Sequence, residues 1–176
     1  MKRLVAFVSA ALFCVAMVPQ QAKALGVSIN AQGVVSQPMG AFGDNTGLGV
    51  GALIGAKVDV AVIVATFRAG YVHHLSENLV QTSNIPIMLG LRYALPTPGV
   101  SVFLGAEGGM NKSTTSIEVL GISQSTSADN IGMNAYLGAN IGPLEITAGL
   151  NVLDFDNFGD SQSLMFTLGY DLFSLP

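Results

Sequence analysis

Residues 131–152 alternate in polarity on both sides of a two-residue turn, and this limits the possible folds more than any other stretch. Ile131, Met133, Ala135, Leu137, Ala139 and Ile141 share one face, and Gly132, Asn134, Tyr136, Gly138 and Asn140 share the other. After Gly142-Pro143, the residues Leu144, Ile146, Ala148, Leu150 and Val152 alternate with Glu145, Thr147, Gly149 and Asn151. Successive side chains of a strand point to opposite faces, so period two around a tight turn predicts a β-hairpin. One face of this hairpin is apolar and the other is small and polar. A soluble sheet burying its apolar side gives this pattern, and so does a barrel facing lipid with its apolar side.

Six more stretches alternate in the same way: 27–36, 47–56, 60–73, 85–93, 100–110 and 163–173. That predicts eight strands. In 47–56 the face opposite Leu48, Val50, Ala52 and Ile54 is mostly glycine: Gly47, Gly49, Gly51 and Gly55. Glycine weakens a strand, so such a row suits a narrow interior in which large side chains from neighbouring strands need room. The first half of 60–73 is apolar on both faces and leaves its phase open. Pro86 stands at the start of its strand, where the missing N–H is tolerated.

The connections alternate long and short. Short turns are expected at 57–59, 95–99 and 142–143, and long polar connections at 38–45, 74–84, 111–129 and 153–160, with 117–122 able to extend its hairpin. Sorting of short turns to one rim and long loops to the other is the habit of a membrane up-and-down barrel. A soluble ligand-binding barrel would invert the faces, and a secreted β-sandwich would not sort its loops.

The content of the polar face separates these readings. It is built mainly of Gly, Ser, Thr, Asn and Ala, with Arg68, Arg92, Glu107, Glu145 and Asp171 as its charges. A water-facing sheet carries many more. Arg92 is expected to pair with Glu145 or Asp171 near the short-turn rim, and Arg68 with Glu107 nearer the other. An eight-stranded barrel is narrow enough for such pairs to cross it. The five or six outward apolar positions per strand match a tilted bilayer-spanning strand, and Tyr93, Tyr170 and Tyr71 form a thin aromatic girdle. The expectation is an all-β, eight-stranded antiparallel up-and-down transmembrane β-barrel, closed because lipid tolerates no open edge.

Residues 1–24 are set apart. Lys2 and Arg3 precede an apolar run, and Ala22-Lys23-Ala24 is a small-x-small site, so a signal peptide cut after Ala24 is expected, leaving 25–176 as the barrel domain. The lone cysteine, Cys14, falls within the leader, which leaves no disulfide or thiolate chemistry after it. Three of the seven basic residues also fall there, leaving four against eleven acidic ones, a formal charge of −7. That balance argues against nucleic acid as a partner.

The run FRAGYVHH, followed by NIPIMLGLRYALPTPGVSVFLGAEGG, the alternating hairpins and the final GYDLF, resembles the small eight-stranded outer-membrane β-barrel proteins of Gram-negative bacteria, the OmpX- and OmpA-barrel-like group. The resemblance covers nearly all of the chain after the leader. It implies an outer-membrane location, with outer-membrane lipid, the barrel-insertion machinery and periplasmic chaperones as partners, and a surface partner met through the loops. It implies no shared catalytic chemistry. Members commonly end in an aromatic residue, whereas here Phe173 is followed by Ser174, Leu175 and Pro176.

No catalytic, cofactor or metal site is predicted. His73 and His74 are adjacent on a strand, point to opposite faces and are expected at a solvent-exposed rim. Asp154, Asp156 and Asp160 lack EF-hand spacing for Ca²⁺. Ser161, Ser163, Asp160 and the histidines share a rim without a spacing that specifies hydrolysis. The reading is a non-enzymatic barrel with a structural or surface-interaction role through its long loops; the alternative is a soluble secreted or periplasmic barrel holding an apolar ligand.

Overall fold

The computed structural model describes residues 26–60, 62–77, 80–95, 97, 100–119 and 122–175. The expected leader, 1–24, lies outside them. Eight strands run in chain order: β1 (Gly26–Pro38), β2 (Thr46–Val60), β3 (Ile63–Glu77), β4 (Val80–Leu95), β5 (Ser101–Val119), β6 (Ile122–Ile141), β7 (Leu144–Val152) and β8 (Gln162–Leu175). Each pairs antiparallel with the next, and β8 pairs with β1, which closes the barrel. Closure leaves the wall without an edge.

The hairpin at 131–152 forms as read. Ile141 pairs with Leu144 across Gly142-Pro143, and Gly142 has φ of 60°, the left-handed value that a two-residue hairpin turn asks of its first position. The phase of β3 is settled too: Val64, Thr66 and Arg68 are buried, while Ala65 and Phe67 are exposed.

The glycine row does the work expected of it. A Cβ on Gly49 would lie 2.6 Å from the His74 ring and one on Gly55 2.3 Å from Asn30 Oδ1; outside that row, in β5, one on Gly105 would lie 2.4 Å from the Tyr136 ring. Each of these side chains takes the space that a Cβ on the glycine beside it would need.

Several connections differ from expectation. Residues 57–59 are not a turn. Lys57 pairs with Ser28 and Thr66, and Asp59 with Gly26 and Val64, inside β2. Their charges imitate a turn, but both keep the inward parity of the strand. Residues 74–84 are mostly strand, since β3 and β4 stay paired up to Glu77 and Val80. Residues 111–119 and 122–129 are strand as well, with β5 and β6 paired up to Val119 and Ile122, so the suggested hairpin extension is present in the described part of 117–122. The connection at 38–45 contains a one-and-a-half-turn helix, α1 (Gly40–Asn45), and 153–160 contains a short 3-10 helix (Phe158–Asp160). These elements share one rim, opposite the turn at 142–143; of the four connections expected to be long, α1 and the 153–160 segment remain as such there, while the other two are strand pairs that project past the rim, and the turn expected at 95–99 lies largely outside the described residues.

Val152 departs from the outward set and is buried together with Asn151 and Leu153. There the chain leaves β7 and folds back over the strand ends, with Leu153 N–H donating to Ser161 O and Phe155 N–H to Ile131 O.

Candidate functional site: the filled lumen and its open basin

The outer surface is apolar. Leu89 is 66% exposed and Ile131 is 72% exposed, and Ile87, Leu137, Ile146 and Leu168 are open around them. The polar inventory lies inside, in layers.

Nearest the short-turn rim, Glu145 stands at the centre of a charge network. It accepts hydrogen bonds from Arg92 Nη1 at 2.8 Å and from Lys57 Nζ at 3.2 Å. Lys57 also reaches Asp171 Oδ1 at 2.5 Å. One layer up, Glu107 accepts from Thr66 Oγ1 and Tyr136 Oη, both at 2.9 Å, and from Arg68 Nε at 2.8 Å, with Arg68 Nη2 making a second, shorter contact. Gln32 ties the layers together. Its amide donates to Glu145 at 3.2 Å, and its carbonyl oxygen accepts from Arg68 at 3.4 Å.

Both expected clusters are therefore present: Arg92 with Glu145, and Arg68 with Glu107. Asp171 pairs with Lys57 rather than Arg92. The sequence reading missed Lys57, whose parity in β2 was its available signal, and also Gln32, Thr66 and Tyr136, which look like ordinary lumen residues until the register is known. With Lys57 included, three cations face three carboxylates. Arg92 stacks over Phe103 at 4.4 Å and Arg68 over Tyr136 at 4.7 Å, so the planar cations are held between carboxylates and aromatic faces.

Above the charges the filling changes. Val34, Leu53, Val72 and Met165 form an apolar layer. A cavity of about 30 Å³ lies beside it, lined in part by Asn84, Asn111 and Asn134. Both side-chain polar atoms of Asn84 and of Asn134, and Oδ1 of Asn111, have no partner among the described residues. Such a volume holds about two waters.

His74 corrects an expectation. It is buried rather than solvent-exposed, because β3 continues past it. Its Nδ1 lies 3.2 Å from Gly47 O, and its ring meets Phe42 of α1 edge-on at 5.3 Å. His73, on the other face, stacks on Tyr71. The imidazole of His74 is thus tied to backbone and ring, not to Ser161 or Ser163. Asp154 turns its carboxylate into its own loop, accepting from Asp156 N–H at 3.0 Å and Asn157 Nδ2 at 2.7 Å. Among the described residues no three His, Cys, Asp or Glu side chains stand together as a metal-ligand group.

At the long-connection rim the lumen opens into a basin of about 440 Å³ between α1, the upper β4–β5 wall and the 153–161 segment. Asn84 lines both this basin and the small cavity beneath it.

No family model matches the chain, and no curated protein is significantly similar to it. Solved structures do match. Neisserial surface protein A superposes with a TM-score of 0.55 at 14% identity, over 85% of this chain and 97% of that one. The N-terminal β-barrel domain of Pseudomonas aeruginosa OprF gives 0.56 at 13%, over 84% and 97%. Ail, the attachment invasion locus protein of Yersinia pestis, gives 0.53 at 16%, over 86% and 97%. At such identities the likeness establishes the fold: an eight-stranded antiparallel barrel resembling these outer-membrane proteins.

Proposed function

We propose that this chain is a non-enzymatic outer-membrane β-barrel of a Gram-negative bacterium, exported by a signal peptide at residues 1–24 and meeting surface partners through its long-connection rim. One observation carries the reading: the polarity is inside out, with apolar side chains on the outer wall and every ion pair among the described residues in the lumen. In water that arrangement would expose a continuous apolar belt, which soluble monomers avoid. In a bilayer it is the stable one. Nine residues of β4 between Ile85 and Tyr93 rise roughly 30 Å along the strand, or about 23 Å of membrane depth at a tilt near 40°, close to the ~25 Å apolar band of such barrels.

The alternative of a soluble barrel with an apolar ligand inside gains nothing from this geometry, because paired charges fill the lower lumen where such a ligand would lie. The implied partners follow from the location: lipid around the belt, and chaperones and insertion machinery during assembly.

Spin labels test this reading directly. A nitroxide at Leu137 or Ile146 is expected to report hydrocarbon and one at Asn134 burial within the protein; water contact at the first two positions refutes it. Fractionation is expected to place the protein with outer membranes, with heat-modifiable gel mobility, and protease added to intact cells should cut only at the long-connection rim.

A further inference from the structure

The basin at the long-connection rim differs from the lumen beneath it in one respect. Outside the self-bonded 153–161 loop, hydroxyls and an amide on its strand walls are uncommitted. The hydroxyls of Thr46, Thr82, Ser113 and Thr115 line it and have no partner among the described residues. On the opposite face of the same hairpin the hydroxyls are paired, Thr114 with Ser127 at 3.0 Å and Ser116 with Ser125 at 2.9 Å. At the floor, Asn84 is 2% exposed, and both its donor and its acceptor are unused.

A buried amide without partners is costly. Its position between the basin and the cavity below aims it at whatever occupies them. Phe42 of α1 adds an apolar wall, held by its edge contact with His74. Asp154 and Asp160 are the charged side chains lining the basin, and no Lys, Arg or His lines it among the described residues. The Asp154 carboxylate is already spent on its own loop.

Each of these features selects for a particular guest. Acidic walls repel phosphate, sulfate and carboxylate. A single remaining carboxylate is a poor cage for a metal ion, which takes several oxygen ligands. Hydroxyls and amides donate and accept at once, so they suit a partner that does the same. An aromatic wall suits an apolar C–H face. A volume of about 440 Å³ lies within the usual range of small-molecule sites.

We propose that this basin binds an uncharged sugar ring, with the Asn84 amide bridging two of its hydroxyls and Phe42 covering one face. The inference rests on the membrane reading above, which places the basin on the cell surface. The ring can belong to a free saccharide or to the headgroup of a glycolipid in the same membrane; the chemistry at the basin is the same.

The test uses the barrel folded in lipid nanodiscs, with ¹⁵N spectra recording the side-chain amides of Asn84 and Asn130. Methyl α-glucoside and N-acetylglucosamine are the neutral probes, and glucose 6-phosphate is the anionic one. Saturable shifts at Asn84 with a neutral probe are expected at millimolar concentration. Asn84→Leu should weaken that binding about tenfold or more, the worth of a hydrogen bond lost at a buried site. Asn134→Leu, one layer deeper, should leave it unchanged. Nanodiscs doped with a neutral glucosyl diacylglycerol separate the sources. Shifts without added sugar assign the ring to the membrane's own glycolipid, and shifts only with added sugar assign it to a free one. Absence of a saturable shift with both neutral probes and the neutral glycolipid, tighter binding of glucose 6-phosphate, or an unaffected Asn84→Leu variant overturns the proposal. A barrel that fractionates with outer membranes and yet fails these titrations loses the sugar site alone. A protein found soluble loses the membrane reading itself.

Discussion

Between Lys57 and Glu107 the lumen is filled by long ionised side chains, and between Val34 and Asn84 by valine, leucine, methionine and asparagine. In the lower half each buried cation has a carboxylate within 3.2 Å, and Glu107 and Glu145 each gather several donors. In the upper half the amides of Asn84 and Asn134 meet a small cavity instead of one another. Asn30 and Arg92 Nε are the lower half's own unpartnered groups. The contrast shows that burying polarity is not one problem. An ion needs its counter-ion fixed in place, whereas a neutral amide can rely on a mobile guest such as water.

The two halves should therefore respond differently to mutation. The largest effect is expected for Glu145→Leu, which strands Arg92 without its carboxylate and leaves Lys57 with Asp171 alone. It should cost roughly 3–5 kcal/mol, the usual result of orphaning a buried charge, read as a shift of the urea midpoint for the barrel folded in lipid vesicles. Adding Arg92→Met to that variant should recover part of the loss, and strict additivity would break the picture of one coupled network. Next comes Gly105→Ala. Its Cβ would meet the Tyr136 ring at 2.4 Å, and displacing that ring pulls its hydroxyl off Glu107; about 1–3 kcal/mol is expected, as for other overpacked sites. Tyr136→Phe removes the hydroxyl alone and should cost about 1 kcal/mol. The smallest effect belongs to the upper half. Asn134→Leu removes two unpartnered atoms at nearly constant volume and should lie within about 1 kcal/mol of neutral, on the stabilising side. A large loss there would mean that the upper amides are as tightly committed as the lower ions.

Period two made the wall legible. The inward parity of Arg68, Arg92, Glu107 and Glu145 follows from it, and so do two of the four ion pairs among the described residues. Lys57 was lost because a charged residue near a chain reversal looks like turn chemistry, although its alternation with Gly55 ran the other way. The upper parts of β3 to β6 look like loops in the sequence because their Ser, Thr and Asn content carries no apolar stripe; only the pairing of Glu77 with Val80, and of Val119 with Ile122, reveals them as strand. The basin was invisible for a related reason. Thr46, Thr82, Thr115 and Asn130 come from four different strands, and strand register, not local pattern, brings them together.

The seam between β1 and β8 constrains assembly in time. Val27 finds its partner in Leu175, and Pro38 finds its partner in Ser163, so the chain's first strand waits for its last. Until they meet, two rows of backbone N–H and C=O groups stay unpaired, an arrangement that hydrocarbon punishes by several kcal/mol per group. Pairing between segments so distant in sequence is slow. Insertion should therefore be all-or-none with respect to the final strand: a chain cut before Gln162 is expected to remain outside the bilayer as prey for proteases rather than persist in it as a seven-stranded sheet.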